Sequence, residues 1–105
     1  MKRGITETCV GFFSTLANPT RLAILEKLSN GNMNVTQLTQ ALKQEQSMIS
    51  HNLKPLLHCR LIYSRKEGKT RIYSINRETV NELFNIVENH AEKHCLFQGN
   101  CPDAR

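Results

Sequence analysis

Apolar residues recur at intervals of three and four through most of the chain, which predicts a series of amphipathic helices. The first helix is expected over residues 5–17, with an apolar face formed by Ile5, Cys9, Phe12, Phe13 and Leu16. The sequence NPT at 18–20 then separates two helices, because asparagine favours the N-cap and proline the first helical position.

Three further apolar runs extend the helical pattern to residue 59. Residues 19–29 place Leu22, Leu25 and Leu28 on one face with Ile24 beside them, and the glycine of NGN at 30–32 should end this helix. A short third helix is predicted within MNVTQLTQALK at 33–43. The segment QEQSMISHNLKPLLHC at 44–59 follows a tight turn, and Pro55 within it should kink the helix or remove a hydrogen bond.

The period changes after residue 60. The segment LIYSRKEGKTRIYSI at 61–75 is rich in β-branched and aromatic residues and is interrupted at 67–69, which predicts two strands joined by a glycine turn. A last helix is expected over 78–97, with the apolar stripe Val80, Leu83, Phe84, Val87 and Ala91. The pattern predicts one domain over residues 1–105 that is mainly α with a β-hairpin, in the order ααααββα, with 98–105 as a tail.

Positive charge is concentrated in the predicted hairpin. The chain has a net charge of +5, and residues 60–77 carry six basic side chains against one acidic side chain. A polyanion such as DNA would meet this segment first, although a short run of charge can also be only a solvated surface. No stretch approaches the roughly 18 apolar residues of a membrane helix, and the N-terminal residues lack a signal-peptide core. We therefore expect a cytoplasmic protein that does not bind membranes.

The third and fourth predicted helices form a helix-turn-helix pattern, in which the second helix presents its first residues to base edges in the major groove. Amide, hydroxyl and imidazole groups suit bases or phosphates, and cations suit phosphates. The basic hairpin that follows has the position of a wing. The predicted DNA contacts are Gln46, Ser47, Ser50, His51 and Lys54 in the helix and Lys66, Lys69 and Arg71 in the wing.

Three segments, LANPTRLAILEKLSNG, VTQLTQALKQEQSMISHNLKPL and LIYSRKEGKTRIYSI, together resemble the ArsR/SmtB (arsenic-repressor) family of winged-helix transcription factors. The resemblance runs from about residue 9 to residue 91. It implies a homodimeric repressor of a double-stranded DNA operator, with the first and last helices at the dimer interface. It also implies an inducer, often a metal or metalloid, that weakens DNA binding.

The sequence departs from the family pattern at several positions. The family's cysteine motif at the start of the third helix is replaced by NMNVTQL, which has no cysteine. A second family site uses carboxylates and histidines at both ends of the last helix. Here its early positions read NRET, and only His90 fits the late ones. Asn52 and Arg60 stand where the family usually has a histidine and a helix-ending glycine.

Histidines and cysteines cluster in ENHAEKHCLFQGNC at 88–101. His90 and His94 share a helix face, and Cys95 and Cys101 flank Gly99. Thiolates suit soft species. We therefore predict a thiol-directed inducer site at Cys95 and Cys101, with Cys9, His90 and His94 as additional candidate ligands and arsenite, cadmium or zinc as candidate inducers. No cofactor is expected to be required. A disulfide between Cys95 and Cys101, which needs a turn near Gly99, and idle thiols are the alternatives.

Several residues admit more than one interpretation. Cys9 can be a small core residue, and Cys59 has charged neighbours but no assigned role. Arg21 needs an acceptor in the first turn of its helix, and we favour an internal bond over a DNA phosphate. No enzymatic activity is expected. A winged-helix module that binds an acidic protein and senses no inducer is the alternative function.

Overall fold

The computed structural model describes residues 4–103. Its elements are α1 (Ile5–Leu16), α2 (Pro19–Ser29), α3 (Val35–Leu42), α4 (Gln46–His58), β1 (Ile62–Glu67), β2 (Thr70–Ile75) and α5 (Arg77–Lys93). The predicted order ααααββα is confirmed. Residues 1–3 of the predicted domain and residues 104–105 of the predicted tail lie outside the described residues.

Asparagine side chains fix the starts of three helices. Asn18 Oδ1 accepts a hydrogen bond from the Arg21 N–H at 3.1 Å, and Pro19 occupies the first position of α2, as predicted. Asn34 and Gln37 form a reciprocal capping box at α3, with both bonds at 2.8 Å. Each side chain satisfies an N–H group that would otherwise lack a partner in the first turn. Asn76 caps α5 in the same way.

The end of α4 has a backbone conformation that normally favours glycine. α4 continues from Gln46 to His58 with Pro55 inside it. Arg60 then takes a left-handed conformation with φ +55°. Its N–H donates to the Leu57 carbonyl at 3.1 Å, and the Leu61 N–H donates to the Leu56 carbonyl at 3.0 Å. This is a Schellman-type end, which a non-glycine residue adopts at a cost of about 1 kcal/mol.

The hairpin pairs β1 and β2 in antiparallel register from Ile62 opposite Ile75 to Glu67 opposite Thr70. Gly68, with φ +63°, supplies the turn conformation that the sequence indicated. Met33 adds a third, single-residue pairing: its N–H and carbonyl bond Tyr73 at 3.2 and 2.8 Å. The sequence did not predict this bridge, because one paired residue produces no period of two.

The core lies around α2, which packs against α1, α3, α4, α5 and β2. Its buried side chains are Leu16, Ile24, Leu25, Leu28, Leu38, Ile49, Leu53, Leu56, Leu61, Ile62, Tyr73, Ile75 and Val80. The sequence placed Leu22 on one face of α2 with Leu25 and Leu28, but the structure does not bury it with them. Leu22 is 39% exposed, because Ile24, Leu25 and Leu28 form the side of α2 that the other elements cover.

The last helix is shorter than predicted. α5 begins at Arg77 and ends at Lys93, so residues 94–97 of the expected helix over 78–97 lie in turns. The Cys95 N–H bonds the His90 carbonyl at 3.1 Å, and both Gln98 and Gly99 have positive φ, which does not continue a right-handed helix. No helix within residues 4–103 is long and apolar enough to cross a membrane.

Candidate nucleic-acid interface

A tight turn joins α3 to α4 and is held against the start of α2. Lys43 ends α3 with φ +55°, and its N–H bonds the Thr39 carbonyl. Gln44 follows, and its side-chain oxygen accepts a hydrogen bond from the Thr20 hydroxyl at 3.2 Å. The turn therefore makes a polar contact with α2, and this contact helps to fix where α4 begins.

The two sides of α4 differ sharply in burial. Ile49, Leu53 and Leu56 are at most 2% exposed and attach the helix to the core. The side chains predicted to contact DNA lie on the opposite side, and all of them are exposed: Gln46, Ser47, Ser50, His51 and Lys54. We call these five residues the reading face. The structure therefore brings the predicted helix residues together on one solvent-facing surface.

Two further residues border the reading face and were missed in the sequence. Met48 is 49% exposed and, with Lys43, Ser47 and His51, lines a shallow depression of about 560 Å³. Met48 directly precedes Ile49, so its side chain is rotated by about 100° around the helix from that buried position. This offset was the signal in the sequence that Met48 is exposed. Lys43 was missed because its own left-handed backbone conformation decides where its side chain lies, and the sequence has no glycine there to indicate such a conformation.

The wing residues lie at the tip of the hairpin. Lys66 pairs with Arg71 across the strands, Lys69 lies in the turn, and all three are exposed. Arg65 instead donates to the carboxylate of Glu67, from Nε at 2.9 Å, and forms an exposed ion pair with it. The ion pair offsets the charge of Arg65. The positive charge at the tip therefore comes from the three residues that the sequence identified.

The turn after α5 surrounds a thiol with backbone donors. The Gly99 N–H donates to Cys95 Sγ at 3.4 Å. Hydrogen bonds from the Gly99 and Phe97 backbone, and a weaker one from Gln98, lower the pKa of the Cys95 thiol against a small opposing effect of burial. The turn near Gly99 that a disulfide to Cys101 would need is present, and both thiols are free in this structure.

The other candidate ligands are only partly brought together. The rings of His90 and His94 lie 5.6 Å apart at the end of α5, next to Cys95 in the chain. Within residues 4–103, no group of three or more His, Cys, Asp or Glu side chains is placed to hold a metal ion. Cys9 is half-buried on α1 rather than in the core, in a depression lined by Val10, Phe13, Ser14 and Ala17. The structure therefore does not group Cys9 with the C-terminal thiols.

An apolar groove of about 640 Å³ lies between α1, α2 and α5. Its apolar lining includes Phe13, Leu16, Leu22, Leu83, Phe84 and Val87. Several large apolar side chains of α1 and α5 are more than half exposed: Ile5, Val10, Phe13, Ile86 and Val87. Val80, which the sequence placed in one stripe with Leu83, Phe84 and Val87, does not line this groove: it lies in the first turn of α5 and is fully buried in the core.

Comparisons with known proteins agree with this geometry. The family model described as bacterial regulatory protein, arsR family, matches residues 18–64. The HTH-type transcriptional regulator NmtR of Mycobacterium tuberculosis is 38% identical over 77 residues, which are 73% of this chain. The match covers 64% of NmtR, less than two thirds of that protein's length. An arsenical resistance operon repressor of Staphylococcus xylosus is 31% identical over 82% of this chain and 88% of its own.

A solved structure extends the similarity to the fold. The winged helix-turn-helix DNA-binding domain of Mb0332 from Mycobacterium bovis, described as homodimeric, has a TM-score of 0.75 and 31% identity. The match covers 86% of this chain and 83% of that one. Helix order, hairpin and sequence all agree. This chain is a member of the arsR family of bacterial regulatory proteins and has the winged helix-turn-helix fold of their DNA-binding domains.

Proposed function

We propose that two copies of this chain form a cytoplasmic, sequence-specific DNA-binding transcriptional repressor, released from its operator by a thiol-directed signal. The observation that carries the proposal is the position of the exposed reading face at the start of α4, which a basic wing follows directly in the chain. Helix-turn-helix proteins contact base edges with the N-terminal residues of the second helix. The wing cations Lys66, Lys69 and Arg71, which form no ion pair within residues 4–103, suit the phosphate backbone.

The residues of α4 divide by chemistry into base and phosphate contacts. The amide of Gln46, the hydroxyls of Ser47 and Ser50 and the imidazole of His51 can donate to or accept from base edges. Lys54 lies about two turns after Gln46 and suits a phosphate. We add Met48 to this set, because an exposed apolar side chain beside the reading face can contact a thymine methyl group.

The wing contributes affinity rather than sequence preference. Lys66, Lys69 and Arg71 are exposed at the hairpin tip, and each suits the phosphate backbone or the minor groove. Their attraction to DNA is electrostatic, so it should fall as salt rises. We expect that replacing the wing cations weakens binding to every sequence alike, whereas replacing Ser47 or His51 changes which sequence is preferred.

The dimer would form through α1 and α5. The exposed apolar residues and the groove lie on these helices, and such a surface is unusual on a monomer of this size. The radius of gyration is 15.0 Å, whereas about 13 Å is typical of a compact domain of this length. A Phe13→Asp, Val87→Asp variant should sediment as a monomer at micromolar concentration while wild type sediments as a dimer. A monomeric wild type would contradict the proposal.

The inducer site we propose is the thiol pair Cys95 and Cys101, with His90 and His94 as further candidate ligands; we leave out Cys9, which lies apart from these thiols on α1. A lowered pKa favours the thiolate of Cys95, which is the form that binds soft ions. The thiols lie just beyond α5, so a ligand there could favour one dimer arrangement over another and change the spacing of the reading faces. The relative in Staphylococcus xylosus is an arsenical resistance operon repressor, which makes arsenite the first species to test, before cadmium and zinc.

The experiment measures binding to DNA selected from a random duplex library, with wild type and a Cys95→Ser, Cys101→Ser variant. Each protein is titrated reduced, oxidised, and reduced with arsenite, cadmium or zinc. Salt-dependent binding to one sequence supports the repressor, and loss of the response only in the variant supports the thiol site. A response to oxidation alone indicates the disulfide. A response that survives in the variant contradicts the thiol assignment, and an absence of selected DNA favours a protein-binding module.

A further inference from the structure

The side chain of Arg21 joins three helices in one place. From the first turn of α2, its Nε donates to Asn52 Oδ1 in α4 at 3.0 Å, and its Nη1 donates to the Thr15 carbonyl of α1 at 3.2 Å. Asn52 is 3% exposed and is a buried polar side chain in a core that is otherwise apolar. The internal bond favoured for Arg21 from the sequence is therefore confirmed.

The acceptors of Arg21 are neutral groups in fixed positions. The ion pair found among residues 4–103 joins Glu67 to Arg65, and it does not include Arg21. The Thr15 carbonyl lies in the last turn of α1, where the helix dipole favours a cation. The amide nitrogen of Asn52 donates to the Met48 carbonyl at 2.9 Å, which turns its oxygen toward Arg21. The guanidinium is therefore bound on one side by the outer helix α1 and on the other by α4.

We propose that Arg21 and Asn52 are positioning residues that fix the angle between α1 and α4 and thereby the half-site spacing that the dimer accepts. This inference rests on the proposed function, in which α1 contributes to the dimer and α4 reads DNA. A second polar contact, between α1 and the residue that follows α4, is weak: Thr15 Oγ1 lies 3.6 Å from Cys59 Sγ at an exposed site. The Arg21 side chain, through the Thr15 carbonyl on one side and Asn52 on the other, therefore provides a polar link between α1 and the middle of α4.

A small change of this angle would be large at the bases. Gln46 and Asn52 are six residues apart in α4, which is roughly 9 Å along the helix axis. A tilt of about 10° at Asn52 would move the start of α4 by about 1.5 Å, enough to break a base hydrogen bond. Because the dimer holds two such helices, an error in the angle is repeated at both half-sites. A single half-site can adjust to it, whereas two half-sites at a fixed spacing cannot.

The test compares operators that differ only in the separation of their half-sites, together with a DNA that carries one half-site. The variants are Arg21→Lys, Asn52→Leu and their combination, and thermal unfolding checks that each is folded. We expect both single variants to reduce the preference for the native spacing about tenfold, the usual size of a lost bond to a charged group. The double variant should lose no more, because both substitutions remove the same link. Affinity for one half-site should stay within about threefold.

Three further variants separate positioning from general effects. Asn52→Asp keeps an acceptor oxygen for Arg21 and should retain the spacing preference. Ile24→Val loosens the core on the same helix, and Arg77→Gln removes an exposed cation at the start of α5. Neither should change the preference.

Two results would overturn the inference. One is an unchanged spacing preference in the folded Arg21→Lys protein. The other is a parallel loss of affinity at every spacing and at one half-site with a smaller salt slope, which would make Arg21 a phosphate contact. Wild type that binds single and paired half-sites equally would refute the proposed dimeric function itself.

Discussion

Removal of two wing cations should change the salt dependence of DNA binding by a calculable amount. In a Lys69→Gln, Arg71→Gln variant, each protomer loses two exposed charges, and neither of these residues forms an ion pair within the described part of the chain. A dimer therefore loses four cations. If each contacts a phosphate, the slope of log K against log salt should become shallower by about 3.6. The affinities of the two proteins for DNA should become equal at about 1 M salt. Extrapolated from there with the shallower slope, the affinity of the variant is roughly a thousandfold lower than that of wild type at 0.15 M salt.

Fluorescence anisotropy with a labelled operator measures this effect at salt concentrations from about 0.05 to about 0.4 M. A Lys27→Gln, Lys93→Gln variant is the matched control. It removes the same number of charges, one from the last turn of α2 and one from the last turn of α5. The last turn of α2 is at the opposite end of that helix from its contact with the α3–α4 turn. The slope of this control should stay close to that of wild type. The wing assignment is refuted if the wing variant binds like wild type at 0.15 M salt, or if it binds more weakly with an unchanged slope.

Three further predictions concern stability and reactivity. Asn34→Ala removes the side-chain oxygen that accepts from the Gln37 N–H, one of the two bonds of the capping box, and should lower the free energy of unfolding by about 1 kcal/mol in urea titrations; no change would show that water replaces this bond. Arg60→Gly removes the cost of a left-handed conformation at a non-glycine residue. It should raise the melting temperature, and the free energy of unfolding should increase by at most about 1 kcal/mol. Cys95 should be alkylated faster than Cys101 below the ordinary pKa of a thiol, as read by mass spectrometry of the modified peptides; equal rates would refute the role of the Gly99 turn.

The pH dependence of Cys95 has a definite sign. The hydrogen bonds of the turn lower the pKa of the thiol in the folded chain relative to the unfolded chain. Their contribution to stability is therefore complete above the unfolded pKa and is lost as the pH falls through the folded pKa. The reactivity of Cys95 should follow the same range of pH, because the thiolate is the reacting form.

The sequence by itself determined the order of elements and the chemistry of the exposed surfaces. Helical spacing, NPT at 18–20 and the glycine at 68 are local signals, and each acts on neighbouring residues through backbone geometry. The reading face was predictable because its polar residues lie opposite the apolar period of the same helix. The wing was predictable because charge and strand-forming residues coincide in one segment.

The tertiary structure decided which apolar residues are covered and which polar residues meet. Val80 and Leu22 have the same apolar character, yet one is fully buried and the other is 39% exposed, because burial depends on neighbouring elements rather than on spacing. The contact between Arg21 and Asn52 joins residues 31 positions apart, and no local pattern announces it. The left-handed conformation at Lys43 was equally hidden, since its cost is offset by packing elsewhere in the fold, whereas that at Arg60 was indicated only by the resemblance, which has a helix-ending glycine at this position.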